Sequence, residues 1–105
     1  MRYLLTADRV LEGSELKEIK NGAVVTEDEK IVYVGEKETA KKEYSDAEEI
    51  NLPGKTLMPG LFECHNHLAM DARVAGHLGM MELGPCEHTV MAIKNMKDDL
   101  MAGVT

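Results

Sequence analysis

Two histidines separated by one residue, His65 and His67, are the part of the sequence best suited to chemistry. They follow a Pro59-Gly60 break. In an extended strand, side chains two residues apart point to the same face, so the two imidazoles would converge on one point. Imidazole nitrogen is a common ligand of zinc and other divalent metals. The spacing therefore predicts two ligands of a metal site at the end of a strand.

Further ligands are harder to find in the sequence. A catalytic zinc ion takes three protein ligands, and His77 or His88 could be recruited as the third, although each is better explained as an ordinary loop or helix residue. Cys64 alternates to the opposite face of the predicted strand, so we expect it in the core. Cys86 precedes a predicted helix, but nothing nearby marks it as a nucleophile. Free thiols are expected, with a Cys64–Cys86 disulfide as the alternative.

The composition limits the classes of partner. The 105 residues carry a net charge of −7, which argues against nucleic-acid binding and against an anionic membrane surface. No apolar run approaches the roughly 18 residues of a membrane span, and the N-terminus lacks the apolar core of a signal peptide. We therefore expect a cytoplasmic protein without nucleic-acid or membrane partners.

The first half of the chain alternates as strands do. The predicted strands cover residues 3–11 (one long or bulged strand), 23–26, 31–35, 49–52 and 55–58. Asn21-Gly22 is a turn signal, and residues 23–35 are typical of a hairpin. The charged residues 36–46 predict a surface loop or a short helix, and Pro53-Gly54 predicts a break between the last two strands.

In the C-terminal third, the spacing of the apolar residues changes from that of strands to that of a helix. Residues 69–85 predict a loop with some helix. Thr89, Ile93, Met96 and Leu100 then follow at the spacing of an amphipathic helix, and Gly103 is a natural stop. Asp98 and Asp99 are expected on the solvated face of this helix. Because Val104-Thr105 begins another β-branched segment, we expect the chain to be a piece of a longer protein.

This order of elements resembles the N-terminal part of the metal-dependent amidohydrolase superfamily. Residues 30–35 (Lys-Ile-Val-Tyr-Val-Gly) are similar to a hairpin of that family, and residues 57–61 (Leu-Met-Pro-Gly-Leu) to the crossing into its barrel. His65-Asn66-His67 is similar to the His-x-His of its first barrel strand. Residues 101–105 (Met-Ala-Gly-Val-Thr) resemble the end of its first barrel helix. The chain is most similar to the imidazolonepropionase and prolidase-like branch, which acts on cyclic amides, dipeptides and N-acyl amino acids.

The resemblance implies a (β/α)₈ barrel enzyme with a small β-sandwich and a metal site at the carboxyl ends of the barrel strands. It implies that His65 and His67 bind one divalent metal, with zinc as the leading candidate. It also implies that a later lysine, two later histidines and an aspartate complete the site. The family usually has Asp two residues before the first His, where this chain has Glu63. Glu63 either supports an imidazole by hydrogen bonding or is simply solvated.

The predicted fold class is therefore mixed β and α: residues 1–57 form part of a β-sandwich, and residues 58–105 form the first strand, loop and helix of a truncated barrel. The parent enzyme would hydrolyse a carbon–nitrogen bond of a small-molecule amide, and we expect this chain alone to be inactive. The alternatives are a standalone β-rich interaction module and a small non-catalytic metal-binding protein. Exposed apolar faces are expected on residues 57–68 and 89–104, and with them a homo-oligomer.

Overall fold

A computed structural model of the chain describes residues 1–70 and 81–105. These residues belong to two compact units, Met1–Pro59 and Gly60–Thr105. The first unit carries four strands and a short helix, and the second carries the histidines and a long helix. Among the described residues, no helix is both long and apolar enough to cross a membrane.

The first unit is one four-stranded sheet in the order β3-β2-β1-β4. Strand β1 (Arg2–Glu12) pairs antiparallel with β2 (Lys17–Glu27), and β2 pairs antiparallel with β3 (Lys30–Glu36). Helix α1 (Lys37–Glu43) then leads to β4 (Glu48–Leu57), which runs parallel to β1. The long first strand, the β2–β3 hairpin and the short helix agree with the sequence prediction.

The core of this unit lies between the sheet and α1. Leu4 is paired with Val25, and both side chains are buried together with Ala23 and with Ala40 of α1. Tyr33 and Tyr44 pack against this cluster, with ring centroids 5.7 Å apart. The described residues of this unit therefore form a single sheet with a helix on one face, and the assignment of residues 1–57 to part of a β-sandwich stays a prediction.

The turn predicted at Asn21-Gly22 is wrong. Both residues lie inside β2, where Gly22 is the partner of Ala7 and the pairing resumes in the same register at Lys20 and runs to Lys17. A Cβ on Gly22 would lie 2.6 Å from Cγ2 of Val10, which is far inside van der Waals contact. Glycine is needed here because a neighbouring side chain lies directly over the backbone, and not because the chain turns.

The break predicted at Pro53-Gly54 is a bulge within one strand. Strand β4 continues through both residues, while its register against β1 shifts between Ala7 and Arg9. Gly54 has a φ of 71°, and its N–H donates to Oδ2 of Asp8 at 3.1 Å. The side chain of Asp8 thus satisfies an amide that the bulge withdraws from the ladder.

Helix α2 (Pro85–Ala102) is the long element of the second unit. It begins with proline in its first turn, and Oε2 of Glu87 accepts the N–H of Gly84 at 2.8 Å. It ends at Gly103, which has a φ of 96° and forms the left-handed cap that the sequence predicts. Part of the loop predicted over residues 69–85 lies outside the described residues.

The apolar side chains of α2 are exposed in this structure. We call the set Val90, Ile93, Met96, Leu100 and Met101 the apolar stripe of α2; its exposed fractions run from 46% to 78%. Met58, Leu61 and Phe62 are exposed as well, and Phe62 reaches 88%. The prediction of exposed apolar faces on residues 57–68 and 89–104 is confirmed for these side chains.

Candidate metal centre

The strand predicted to carry the histidines is reduced to one parallel bridge between Leu61 and Val104. Leu61 donates its N–H to the carbonyl of Gly103 at 2.7 Å and accepts from Thr105 at 3.0 Å. Residues 62–67 are not part of a strand, and the chain bends at residues 64 and 65. The strand prediction is therefore wrong for these residues, because the amide of His65 bonds a side chain and not a neighbouring strand.

The two imidazoles converge all the same. Nε2 of His65 lies 2.7 Å from Nε2 of His67, and the ring centroids are 4.7 Å apart at an interplanar angle of 44°. One of the two nitrogens donates and the other accepts, so a single N–H···N hydrogen bond joins the rings. The convergence that the spacing predicts is thus present, but a bend in the backbone produces it and not the alternation of a strand.

This geometry fits a divalent metal. Two nitrogen ligands at about 2.0 Å from a tetrahedral zinc ion lie about 3.3 Å apart. The observed 2.7 Å separation is shorter, and both side chains are exposed and can open by a small ring rotation. In the described part of the chain, no three His, Cys, Asp or Glu side chains are grouped for a metal. The described residues therefore bring together two candidate ligands, His65 and His67.

Glu63 and Cys64 lie differently from their predicted positions. Oε1 of Glu63 accepts the backbone N–H of His65 at 2.9 Å, so the carboxylate shapes the bend and does not hold an imidazole. Cys64 is exposed, which corrects its predicted place in the core. Both corrections have the same cause, because a bent backbone does not alternate its side chains between two faces.

The remaining candidates lie on α2 or outside the described residues. Nδ1 of His88 lies 3.1 Å from the carbonyl oxygen of Ala69, and since a carbonyl only accepts, Nδ1 carries the proton. Cys86 is an exposed free thiol, and so is Cys64, so the structure contains no disulfide between them. His77 lies outside the described residues.

Sequence reasoning missed the contacts that hold residues 66–70, which we call the post-bend segment. Nδ2 of Asn95 donates to the carbonyls of Leu68 and Met70, at 2.8 and 2.9 Å. The amide of Asn66 donates to Oδ2 of Asp99, a contact that the predicted solvated face did not include. The available signal was the spacing of polar residues 88, 95 and 99, which share one side of a helix opposite to an apolar stripe.

Solved structures that resemble this chain include metal-dependent hydrolases. A metal-dependent hydrolase from Pyrococcus furiosus matches 66% of this chain and 15% of its own at 29% identity, with a TM-score of 0.55. Ochratoxinase from A. niger matches 86% of this chain and 21% of its own at 23% identity. Its TM-score of 0.66 indicates a shared fold. The predicted resemblance to the metal-dependent amidohydrolase superfamily is confirmed.

The curated relatives are more specific. Imidazolonepropionase from Staphylococcus aureus (strain Newman) is 42% identical over 66 residues, which are 60% of this chain and 15% of the relative. The chain thus spans about 15% of the length of the curated relatives it matches. No family model matches the chain.

Proposed function

We propose that this chain supplies two metal ligands, His65 and His67, to a metal-dependent amidohydrolase. The observation that carries the proposal is the convergence of the two Nε2 atoms at 2.7 Å. The parallel bridge that joins Leu61 to Val104 across α2 supports it, because a parallel pair connected by a helix is the repeating unit of a (β/α)₈ barrel. In this proposal residues 1–57 belong to a β-sandwich, and residues 58–105 form the first barrel unit.

The chemistry divides between the ion and the chain. A divalent ion, with zinc as the leading candidate, would polarise the substrate carbonyl and lower the pKa of a bound water molecule. The chain presents two imidazoles whose Nε2 atoms must both be unprotonated to coordinate, so each Nδ1 carries a proton. Glu63 fixes the bend by holding the amide of His65. Because a catalytic zinc site takes three protein ligands, we expect the 105-residue chain alone to lack activity.

The proposed substrate is a small-molecule amide. The leading candidate is a cyclic amide of the imidazolone type, and the second candidate is a dipeptide. The similarity to imidazolonepropionase supports the cyclic amide. The two free thiols, Cys64 and Cys86, support a reducing compartment, and we therefore propose the cytoplasm.

Zinc titration of the full chain tests the metal site. We expect saturable binding that shifts the ring signals of His65 and His67 in NMR spectra. Replacing either histidine with Ala should weaken binding by more than the roughly 10–100-fold that losing an outer partner costs. Cys86→Ser is the control, because it removes an exposed thiol that could bind zinc adventitiously. If that control loses the affinity and His65→Ala keeps it, the histidines are not the ligands.

An amidase assay tests the expected lack of activity. The chain is incubated with zinc, manganese or cobalt and with cyclic amide and dipeptide substrates. We expect no turnover above the metal-only blank, since only two metal ligands are in place. Turnover that disappears in His65→Ala would contradict this expectation while supporting the metal site.

A further inference from the structure

We propose that Asn95 and Asp99, on one side of α2, are positioning residues for the two histidine ligands. They hold the post-bend segment, and through it they keep the imidazoles converged. This proposal rests on the proposed function, because it concerns the same two histidines, and its experiments are chosen so that the two can fail separately.

The first observation is that side chains of α2 satisfy three successive carbonyls of the post-bend segment. Asn95 donates to Leu68 and Met70 from a single amide nitrogen, using both of its hydrogens. His88 donates to Ala69, the residue between them. Since these contacts are partly buried, the carbonyls depend on α2 for hydrogen bonds that water would otherwise supply. The backbone directly after His67 is therefore fixed by the helix.

The second observation lies between the two ligands. The amide of Asn66 donates to the carboxylate of Asp99. Asp99 is itself anchored near the end of α2, where its carbonyl accepts the N–H of Val104 at 3.0 Å. Because Asn66 is covalently joined to both histidines, its orientation limits the directions available to their rings.

Apolar packing does not explain how α2 is held against this segment, because the apolar stripe of α2 is exposed. Fixing an exposed side chain costs conformational entropy, and a rigid backbone reduces the part of that cost that metal binding must overcome. Loss of the contacts should therefore weaken metal affinity even where the helix stays folded. Outer partners of metal ligands typically change affinity about 10–100-fold.

Asn95→Ala is the first test, read by zinc titration and by long-range proton–nitrogen NMR of the imidazoles. We expect about tenfold weaker zinc binding. We also expect loss of the hydrogen bond between the two rings in the metal-free chain, which a purely structural role would not predict. Lys97→Ala, an exposed change on the same helix, is the control and should stay within about twofold of the wild type.

Asp99 provides the second test, with a conservative rescue. Asp99→Ala should weaken zinc binding about tenfold, whereas Asp99→Asn keeps an acceptor for Asn66 and should retain the affinity. Asn66→Ala with Asp99→Ala should be no weaker than either single change, because both remove one contact. Lys97→Ala, the exposed change used as the control for Asn95, is the control here as well and should stay within about twofold of the wild type.

The outcomes separate the two proposals. If the wild-type chain does not bind zinc, the proposed function fails. If it binds zinc, and Asn95→Ala and Asp99→Ala bind it equally well with unchanged helical circular dichroism, the positioning role is overturned and the metal site stands. If Asp99→Ala unfolds the helix, Asp99→Asn decides: a folded Asp99→Asn chain with weakened affinity overturns the role, and wild-type affinity supports it.

Discussion

Val10 and Gly22 show how closely the first unit is packed at single residues. Val10 is 1% exposed, and its side chain lies over the backbone of Gly22. Gly22→Ala would place a methyl group 2.6 Å from Cγ2 of Val10, so we expect a loss of about 1–3 kcal/mol in the free energy of unfolding. Urea denaturation measures this loss.

The double variant Gly22→Ala with Val10→Ala is the control for this clash. It removes Cγ2, the atom of Val10 nearest to the new methyl, and leaves Cβ, which would lie 2.8 Å from it, so its loss of stability should be smaller than the sum of the two single losses. Additive losses would mean that the backbone moves and that Val10 does not determine the need for glycine.

Glu49 makes the stability of the same unit depend on pH. A hydrogen bond from Lys41 lowers the pKa of Glu49 below its ordinary value of 4.5, with the charge of Lys41 adding to the effect. Because the pKa of Glu49 is lower in the folded state, its ionisation stabilises the fold fully above pH 4.5. This stabilisation is lost as the pH falls through the pKa of Glu49 in the folded state. Both side chains are 38% exposed, so the pair contributes about 0.2–1 kcal/mol.

Glu49→Gln tests this dependence, since an amide oxygen still accepts from Thr6 while the charge is gone. The wild type should be the more stable of the two at pH 7, and the difference should shrink as the pH falls below 4.5 and through the folded-state pKa. Urea titrations at pH 7 and at an acidic pH below 4.5 measure it. A difference that stays the same at the two pH values would assign the effect to packing.

At the scale of elements, the end of α2 connects the helix to the bridge at Leu61. Gly103 has a φ of 96°, a region that side chains other than glycine occupy at a cost of about 1–2 kcal/mol. Gly103→Ala should therefore destabilise the second unit by about this amount. Gly103→Asn should cost less, because Asn tolerates left-handed backbone.

Amide hydrogen exchange checks the Gly103 prediction at two positions. The N–H of Val104 bonds the carbonyl of Asp99, and the N–H of Thr105 bonds Leu61. Both should exchange faster in Gly103→Ala than in Gly103→Asn. Equal rates in both variants would mean that the cap does not hold this end of the chain.

Elements whose signals are local were predictable, and those decided by distant residues were not. The β2–β3 hairpin and α2 follow from alternation and from helical spacing within their own residues. The Asn21-Gly22 signal failed because Val10, eleven or more residues away, requires the glycine. The strand at residues 62–67 failed because a strand needs a paired neighbour, which the sequence pattern cannot supply.

The candidate site divides in the same way. The spacing of His65 and His67 predicts their convergence, which is present. The spacing of Asn95 and Asp99 puts them on one side of α2 but does not show what they contact, because a polar residue opposite an apolar stripe normally faces solvent. Here that side of α2 meets backbone carbonyls and an asparagine, so the polar side is the one in contact.

For the whole molecule, the apolar surface is large relative to the core. Among the described residues only six apolar side chains are buried, and three of them are alanines. A groove of about 300 Å³ on the sheet is lined largely by apolar residues, among them Leu5, Val24, Ile31 and Val34. Contiguous apolar surface of this kind is usually covered by a partner.

We propose that copies of this chain associate through the apolar stripe of α2, where Ile93 and Leu100 are 60% and 61% exposed. The double variant Ile93→Lys with Leu100→Lys should shift the chain towards monomer, because two charges would be buried unpaired in such an interface. Val32→Lys, which changes an exposed strand residue, is the control. Light scattering over a roughly hundredfold range of concentration measures the change, since association follows mass action. A wild-type chain that stays monomeric throughout contradicts the proposal, and dissociation by Val32→Lys alone would move the interface to the sheet.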